Sequence, residues 1–323
     1  MPFVERNVTL STIFAPCTPR GERLGLGGAP LGNLFAPVSD GEARALVDAA
    51  WASGCRSFDT APHYGHGLSE RRIGDALRGH PRDAYVLSSK VGRLLRAKAD
   101  TARAQHGYVD VLPFDQHWDY SARGVVRSLE DSLQRLGLAR IDVAFVHDCD
   151  AATHGAAADA VRAQVIGETL PALAALKRDG LIRAIGLGVN DVTIAADVIR
   201  AADIDVLLLA GRYSLLDHSA LPDLLPLCEA RGVRIALGGV FNSGLLATGT
   251  KGDAAPRFNY APAGRDWIER CTRIEAICEA HGVPLRAAAL QFPLAHPALD
   301  IVLVGARRAE ERNDPTAMLA HPV

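Results

Sequence analysis

None of the six cysteines stands in a CxxC pair or at finger-like spacing. Cys17, Cys55, Cys149, Cys228, Cys271 and Cys278 therefore read as reduced, mostly buried thiols, and no metal site is expected. No apolar run approaches the roughly 18–20 residues that cross a bilayer. The start, Met1-Pro2-Phe3-Val4-Glu5-Arg6, lacks the basic-then-apolar layout of a secretory signal, so a cytoplasmic location is expected. A basic excess is missing too. The net charge is −2, which excludes the electrostatic footprint of a nucleic-acid or anionic-membrane binder and leaves a small molecule as the expected partner. There is no internal repeat, low-complexity tract or domain linker.

What is present is an alternation. Leu24–Gly32, a strand running into a glycine-rich turn, and Arg56–Asp59, Ala84–Ser89, Ile141–Val146, Ile182–Val189, Asp205–Ala210, Val233–Leu237 and Ile301–Val304 read as short apolar strands, each followed by a helix or helical loop. Ser39 and Asp40 are N-cap candidates for the first helix, and Val125, Leu129, Leu133 and Leu136 stripe one face of another, which Gly137 ends. Continuous apolar strands are those of a parallel sheet covered on both faces. Eight such units without a break predict a single (β/α)₈ barrel domain over residues 1–323. The rival, a doubly wound open sheet, wants a GxGxxG turn running into a helix. The glycines of Gly25–Gly32 are interrupted by Pro30 and stand well short of the next helix. The stretch from Arg93 to Tyr120 shows no clear periodicity and is expected to be a long loop over the active-site face.

In such a barrel the chemistry lies at the C-terminal ends of the strands. Those ends carry Gly28-Ala29, Asp59, Lys90, His147, Asn190, Gly211-Arg212-Tyr213, Gly238-Gly239 and Gly305-Ala306-Arg307, with Tyr64 in the loop after Asp59. Asp59, Tyr64, Lys90 and His147 thus converge from three neighbouring tips. A free tyrosine has a pKa near ~10, far from neutrality. A nearby ammonium favours its phenolate, and a carboxylate beside that ammonium keeps it charged and aimed. A histidine next to the phenol can orient a substrate oxygen. The set supports proton transfer through a tuned phenol. Each residue taken singly would read as ordinary core; the convergence is what points to catalysis.

At these residues the sequence resembles the aldo-keto reductase family. The likeness rests on Phe58-Asp59-Thr60-Ala61, Tyr64-Gly65 and Ser69-Glu70; on Ser88-Ser89-Lys90-Val91-Gly92; on Phe145-Val146-His147-Asp148; and on Asp119-Tyr120-Ser121 with Ser128–Gly137. It runs from about residue 20 to 308. The resemblance implies a (β/α)₈ barrel and an NAD- or NADP-dependent oxidoreductase, with Tyr64 as acid/base in a tetrad with Asp59, Lys90 and His147. The stretches Leu26–Leu34, Ala210–Leu216 and Gly238–Leu245 resemble the sugar-oxidising branch of the family, with a pyridoxal-oxidising branch close by. This implies oxidation of an aldose such as L-fucose or D-arabinose at C1, giving the aldonolactone.

By the same resemblance, cofactor contacts are expected from Gly28, Ala29, Asp59, Asn190, Gly238, the loop Phe241, Asn242, Ser243, Gly244 and Leu245, and from Gly305, Arg307 and Arg308. NAD is preferred over NADP. Substrate contacts are expected from His63, Asp148, Arg212 and Trp118, the last as an apolar wall. The sequence departs from the family at Ala210, where many relatives have Gln, near Gly238, where many have a stacking aromatic, and in the tail. There Pro315 is expected to break or start a helix. Two alternatives stay open: carbonyl reduction with NADPH or oxidation of a pyridoxal-like alcohol, and a cofactor-binding regulatory subunit without turnover.

Overall fold

The computed structural model describes residues 13–14, 23–251 and 255–323, apart from the side chains of 312–314. The opening residues Met1–Arg6 and Cys17 lie outside these. Eight parallel strands close into a barrel: β1 (Leu24–Gly27), β2 (Ser57–Asp59), β3 (Val86–Val91), β4 (Val143–His147), β5 (Ala184–Val189), β6 (Val206–Ala210), β7 (Arg234–Gly238) and β8 (Leu299–Gly305). Each pairs with the next in chain order, and β8 closes on β1 through Gly27↔Gly305. The strands are almost wholly buried because side chains fill the barrel inside and helices cover it outside. Phe145 occupies the interior at Gly186, where an added Cβ would come within 2.2 Å of its ring. Ile13 and Phe14 join the interior cluster formed with Val86, Val143, Ala184, Val206 and Ile301 at the strand starts.

The covering helices begin and end where their sequence signals stand. Helix α1 (Asp40–Ala52) opens with a capping box: the Glu42 amide donates to Ser39 Oγ at 3.2 Å, and the Ser39 amide donates to Glu42 Oε2 at 2.9 Å. Helix α2 (Leu68–Leu77) follows the loop after β2. Helix α3 (Ala122–Leu136) buries Val125, Leu129 and Leu136 and ends at Gly137, whose φ of 64° is left-handed.

Three expectations need correction or refinement. The stretch after Arg93 is more ordered than a loop: Arg93–Ala97 and Phe114–Trp118 pair antiparallel as an outer hairpin. Only the first two residues of its first strand are buried, so it shows no two-residue alternation to read. Gln164–Arg178, whose sequence reads as one helix, is helical but carries a π-helical turn at Val165–Thr169, next to Pro171, which lacks the N–H that an α-helical ladder needs. Pro315 lies inside the helix Ala309–Ala320 instead of bounding it. That helix packs against α1 and Leu285–Leu294, and the packing outweighs the local cost of the proline. Cys55, Cys149, Cys228, Cys271 and Cys278 are buried free thiols. Among the described residues no helix is long and apolar enough to cross a membrane, and no metal-like cluster of His, Cys, Asp or Glu occurs.

Candidate active site

Barrel register brings the first acid and base together. Asp59 at the end of β2 pairs with Ser88 on β3, two residues before Lys90, so Asp59 and Lys90 face one another at the mouth. Lys90 Nζ donates to Asp59 Oδ2 at 2.7 Å and to the Thr60 carbonyl at 2.8 Å. Ser88 Oγ donates to Asp59 Oδ1 at 2.7 Å. Both charges are nearly sealed from solvent, so their mutual contact and these extra hydrogen bonds are what make their burial tolerable.

Tyr64 is aimed by its backbone. Its carbonyl lies against Gly32 in the loop after β1, where an added Cβ would stand 2.4 Å from the Tyr64 carbonyl carbon. Glycine at 32 is therefore what lets the two loops touch. The Ser69 amide, at the start of α2, donates to the Tyr64 carbonyl. Lys90 Nζ lies 4.5 Å from the centre of the phenol ring, and the His147 ring stands edge-on at 6.2 Å. Burial pushes the Tyr64 phenol well above its usual range; Asp59 raises it further and the Arg93 guanidinium pulls it back.

His147 ends β4, and the next residue, Asp148, turns with φ 40° while its amide donates to the Gly188 carbonyl. His147 Nε2 is 3.4 Å from Asp148 Oδ2, and its Nδ1 is buried without a partner. Burial, then Arg93 and Lys90, hold His147 well below the ordinary imidazole pKa, so it is neutral at neutral pH. The same two influences, burial and Arg93, keep His63 neutral. Burial raises the Asp148 carboxyl, and its ion pair with Arg93 opposes that.

These groups share a cavity of about 290 Å³ at the strand tips. Ala29, Tyr64, Lys90, His147 and Asn190 line it, as do two of the residues expected to meet substrate, His63 and Asp148. The other two are not among its lining residues. Trp118 stacks behind the Arg93 guanidinium, 3.9 Å from ring centre to Cζ. Arg212 ties two loops together, donating to the Asn190 backbone carbonyl at 2.7 Å and to the Asn259 side-chain Oδ1 at 3.1 Å. A more open hollow of about 500 Å³ lies outside, between Lys98, Asp100, Gln105 and Asp115. It meets the first cavity at His106 and holds none of Asp59, Tyr64, Lys90 or His147.

Sequence reasoning missed several walls. Tyr108 and His106 come from the segment joining the two strands of the outer hairpin, and the Tyr108 ring lies 6.0 Å from that of Tyr64. Tyr260 sits at the tip of a second hairpin, Arg257–Phe258 with Ala261–Pro262. Asn259 and Tyr260 both have positive φ, 52° and 66°, the pairing that a two-residue hairpin turn requires. Tyr260 as a residue is about half exposed, yet its phenol reaches inward to the Asn190 side chain. An Asn before a Tyr is a weak turn signal, and nothing local says which cavity such a turn overhangs.

The remaining strand tips form the other half of the mouth in unbroken order: Asn190 after β5, Gly211 after β6, Gly238 and Gly239 at β7, and Gly305 at β8. The loop after β7 has three successive positive φ values, at Asn242, Ser243 and Gly244. Asn242 pins it by accepting from Ser214 Oγ at 2.6 Å and donating to the Gly211 carbonyl. Ser243 Oγ accepts from the Tyr260 amide at 2.8 Å. Phe241 is partly buried against the core, and Leu245 is buried. An added Cβ at Gly244 would meet nothing, which leaves open space over this loop. The Gly28 amide donates to the Asp59 carbonyl, and the Gly28 carbonyl accepts from Ser69 Oγ. Arg307 and Arg308 are exposed at the start of the last helix, where Arg308 is the N-cap and the Arg307 amide donates to Glu311 Oε2 at 2.8 Å. A contiguous half-mouth of glycines, an amide side chain and open backbone, ending in two arginines, fits an elongated dinucleotide.

The chain is similar to known proteins over most of its length. A model of the Aldo/keto reductase family matches residues 23–323. Pyridoxal 4-dehydrogenase of Microbacterium luteolum is 45% identical over 298 residues, covering 89% of this chain and 86% of that protein. D-threo-aldose 1-dehydrogenase of a Pseudomonas species is 41% identical over 295 residues, covering 88% and 85%. Among solved structures, an aldo-keto reductase from Bacillus halodurans in its holo form superposes with a TM-score of 0.69 at 23% identity, covering 93% of this chain and 88% of that one. At that identity the superposition speaks for the fold.

Proposed function

We propose that this chain, which belongs to the aldo/keto reductase family and is an NAD(P)-dependent oxidoreductase acting on CH–OH groups, oxidises the hemiacetal carbon of a cyclic substrate, an aldose such as L-fucose or D-arabinose, to the lactone. The observation that carries the reading is the single cavity in which Tyr64, Lys90 and His147 stand beside the polar groups of His63 and Asp148. A sugar brings many hydroxyls, and burying them unpaired would be costly. The two named relatives favour the same chemistry, because aldoses and pyridoxal both close to cyclic hemiacetals.

In this reading a nicotinamide held by Asn190 would supply the acceptor for the hydride of the hemiacetal carbon. The chain's own residues do the rest. Tyr64 takes the proton of the hydroxyl on that carbon, and neutral His147 holds the same oxygen through Nε2. Lys90, aimed by Asp59, stands 4.5 Å from the centre of the Tyr64 ring. Asn190 is assigned to the cofactor's amide, the loop 241–245 to its pyrophosphate, and Gly305, Arg307 and Arg308 to its adenosine end.

The preferred cofactor is NAD. Glu310 and Glu311 occupy the first turn of the last helix, and Glu311 already takes the Arg307 amide. The negative charge that a helix start favours is thus supplied from within, and a further phosphate there meets two carboxylates. The test is a panel of aldoses, pyridoxal and simple carbonyls with each cofactor in both directions, followed at the reduced-nicotinamide absorbance band. Oxidation of an aldose or pyridoxal with NAD⁺ supports the reading. Activity confined to carbonyl reduction with NADPH overturns it.

A further inference from the structure

Arg93 is the first residue of the outer hairpin and its guanidinium is buried. It is held on several sides. Nη1 lies 2.7 Å from His63 Nδ1 and 2.9 Å from Gln116 Oε1, Nη2 pairs with Asp148 Oδ2, and one face lies on the Trp118 ring. None of these contacts is to Tyr64, which Arg93 reaches only through its charge.

We propose that Arg93 sets the hydrogen-bond polarity of the substrate wall, making His63 a donor and Asp148 an acceptor, so that the cavity selects rings with a free hydroxyl on the carbon beside the reacting one. An arginine can only donate. His63 Nδ1 stands 2.7 Å from Nη1 and 2.9 Å from Gln116 Oε1, to which Nη1 also donates; with the two Nη1 protons divided between these two acceptors, a neutral ring carries its own proton on Nε2. The opposite arrangement would set an N–H against an N–H at 2.7 Å. At its other end the guanidinium meets Asp148 as an ion pair, so the carboxylate keeps its acceptor character inside the cavity. Asp148 has little room to turn away, since its amide is tied to the Gly188 carbonyl.

The donor and the acceptor flank His147: the His63 and His147 rings are 5.8 Å apart, and Asp148 Oδ2 is 3.4 Å from His147 Nε2. A hydroxyl next to the reacting carbon can donate to Asp148 and accept from His63 at once. A ring lacking that hydroxyl leaves both groups unpaired in a confined site, which is the expensive case. Arg93 is on this view a positioning residue. It touches neither the reacting carbon nor its oxygen. The selectivity part rests on the hemiacetal reading; the assignment of His63 does not.

Two measurements test the two parts separately. In ¹⁵N-histidine-labelled enzyme, with the His63 signals assigned by their loss in His63→Gln, His63 is expected as the Nε2–H tautomer at neutral pH. Arg93→Met should mix or reverse that tautomer. Arg93→Lys, a point charge unable to span both His63 and Asp148, should do so in part and serves if Arg93→Met fails to fold. An unchanged tautomer in both variants overturns the role of Arg93. In kinetics, kcat/KM for an aldose should exceed that of its 2-deoxy analogue by about 10- to 100-fold. Asp148→Asn and Arg93→Met should bring that ratio towards one, because the aldose loses more than the analogue. A ratio that survives both variants, or a uniform loss on both substrates, overturns the selectivity. If no hemiacetal is turned over, the proposed function fails, and the tautomer alone decides the part played by Arg93.

Discussion

Lys90 Nζ stands 2.7 Å from Asp59 Oδ2, and both side chains are almost sealed from solvent. Removing one partner leaves the other charge buried and unmatched. Lys90→Met is expected to lower the unfolding free energy by about 3–5 kcal/mol, read by urea denaturation. Asp59→Asn/Lys90→Met should recover much of that loss, because no lone charge remains. A single variant as stable as the parent would mean that the pair is solvated in solution.

The phenol is a different matter, because Tyr64 contributes chemistry more than packing. Tyr64→Phe should leave cofactor affinity intact, measured by nicotinamide fluorescence, while kcat falls about 10²–10⁴-fold. Retained turnover would move the acid/base role to another group.

Stability should depend on pH through two histidines. His63 and His147 are both held below about 6.5, the ordinary imidazole value, by burial and by Arg93. Between that value and their folded pKa values the unfolded chain binds more protons than the folded one. The neutral histidines thus give full stability above about pH 6.5, and it is lost as pH falls below that. Thermal melts of His63→Gln should show a shallower decline from neutral to mildly acidic pH. A slope equal to the parent's would contradict the depressed value.

Gly32 supports Tyr64 through backbone contact alone. Gly32→Ala puts a methyl 2.4 Å from the Tyr64 carbonyl carbon, so one loop must give way. A stability cost of about 1–3 kcal/mol is expected, with a fall in kcat that cofactor affinity does not share. Unchanged kcat would show that the phenol's aim does not depend on this contact.

The barrel was legible because its strands are buried on both sides and punctuated by helix signals such as Ser39 and Gly137. The positions of Asp59, Lys90 and His147 followed once the strand ends were known. Arg93, Tyr108 and Tyr260 were not legible. Their segments carry no periodicity, and what they touch is set by how two hairpins fold over the mouth, a long-range outcome with no local signature. Trp118 is a case of another kind. A large ring in a loop suggests a cavity wall, yet here it backs the Arg93 guanidinium. Pro315 shows that packing on α1 can override a local rule.

The central claim is that hydride leaves the hemiacetal carbon. The most direct measurement uses an aldose deuterated at C1, with NAD⁺ and the purified enzyme, and mass analysis of both products. The expected result is deuterium in the reduced nicotinamide and none in a lactone product. Unlabelled reduced nicotinamide, or deuterium retained on an oxidised sugar, would contradict it.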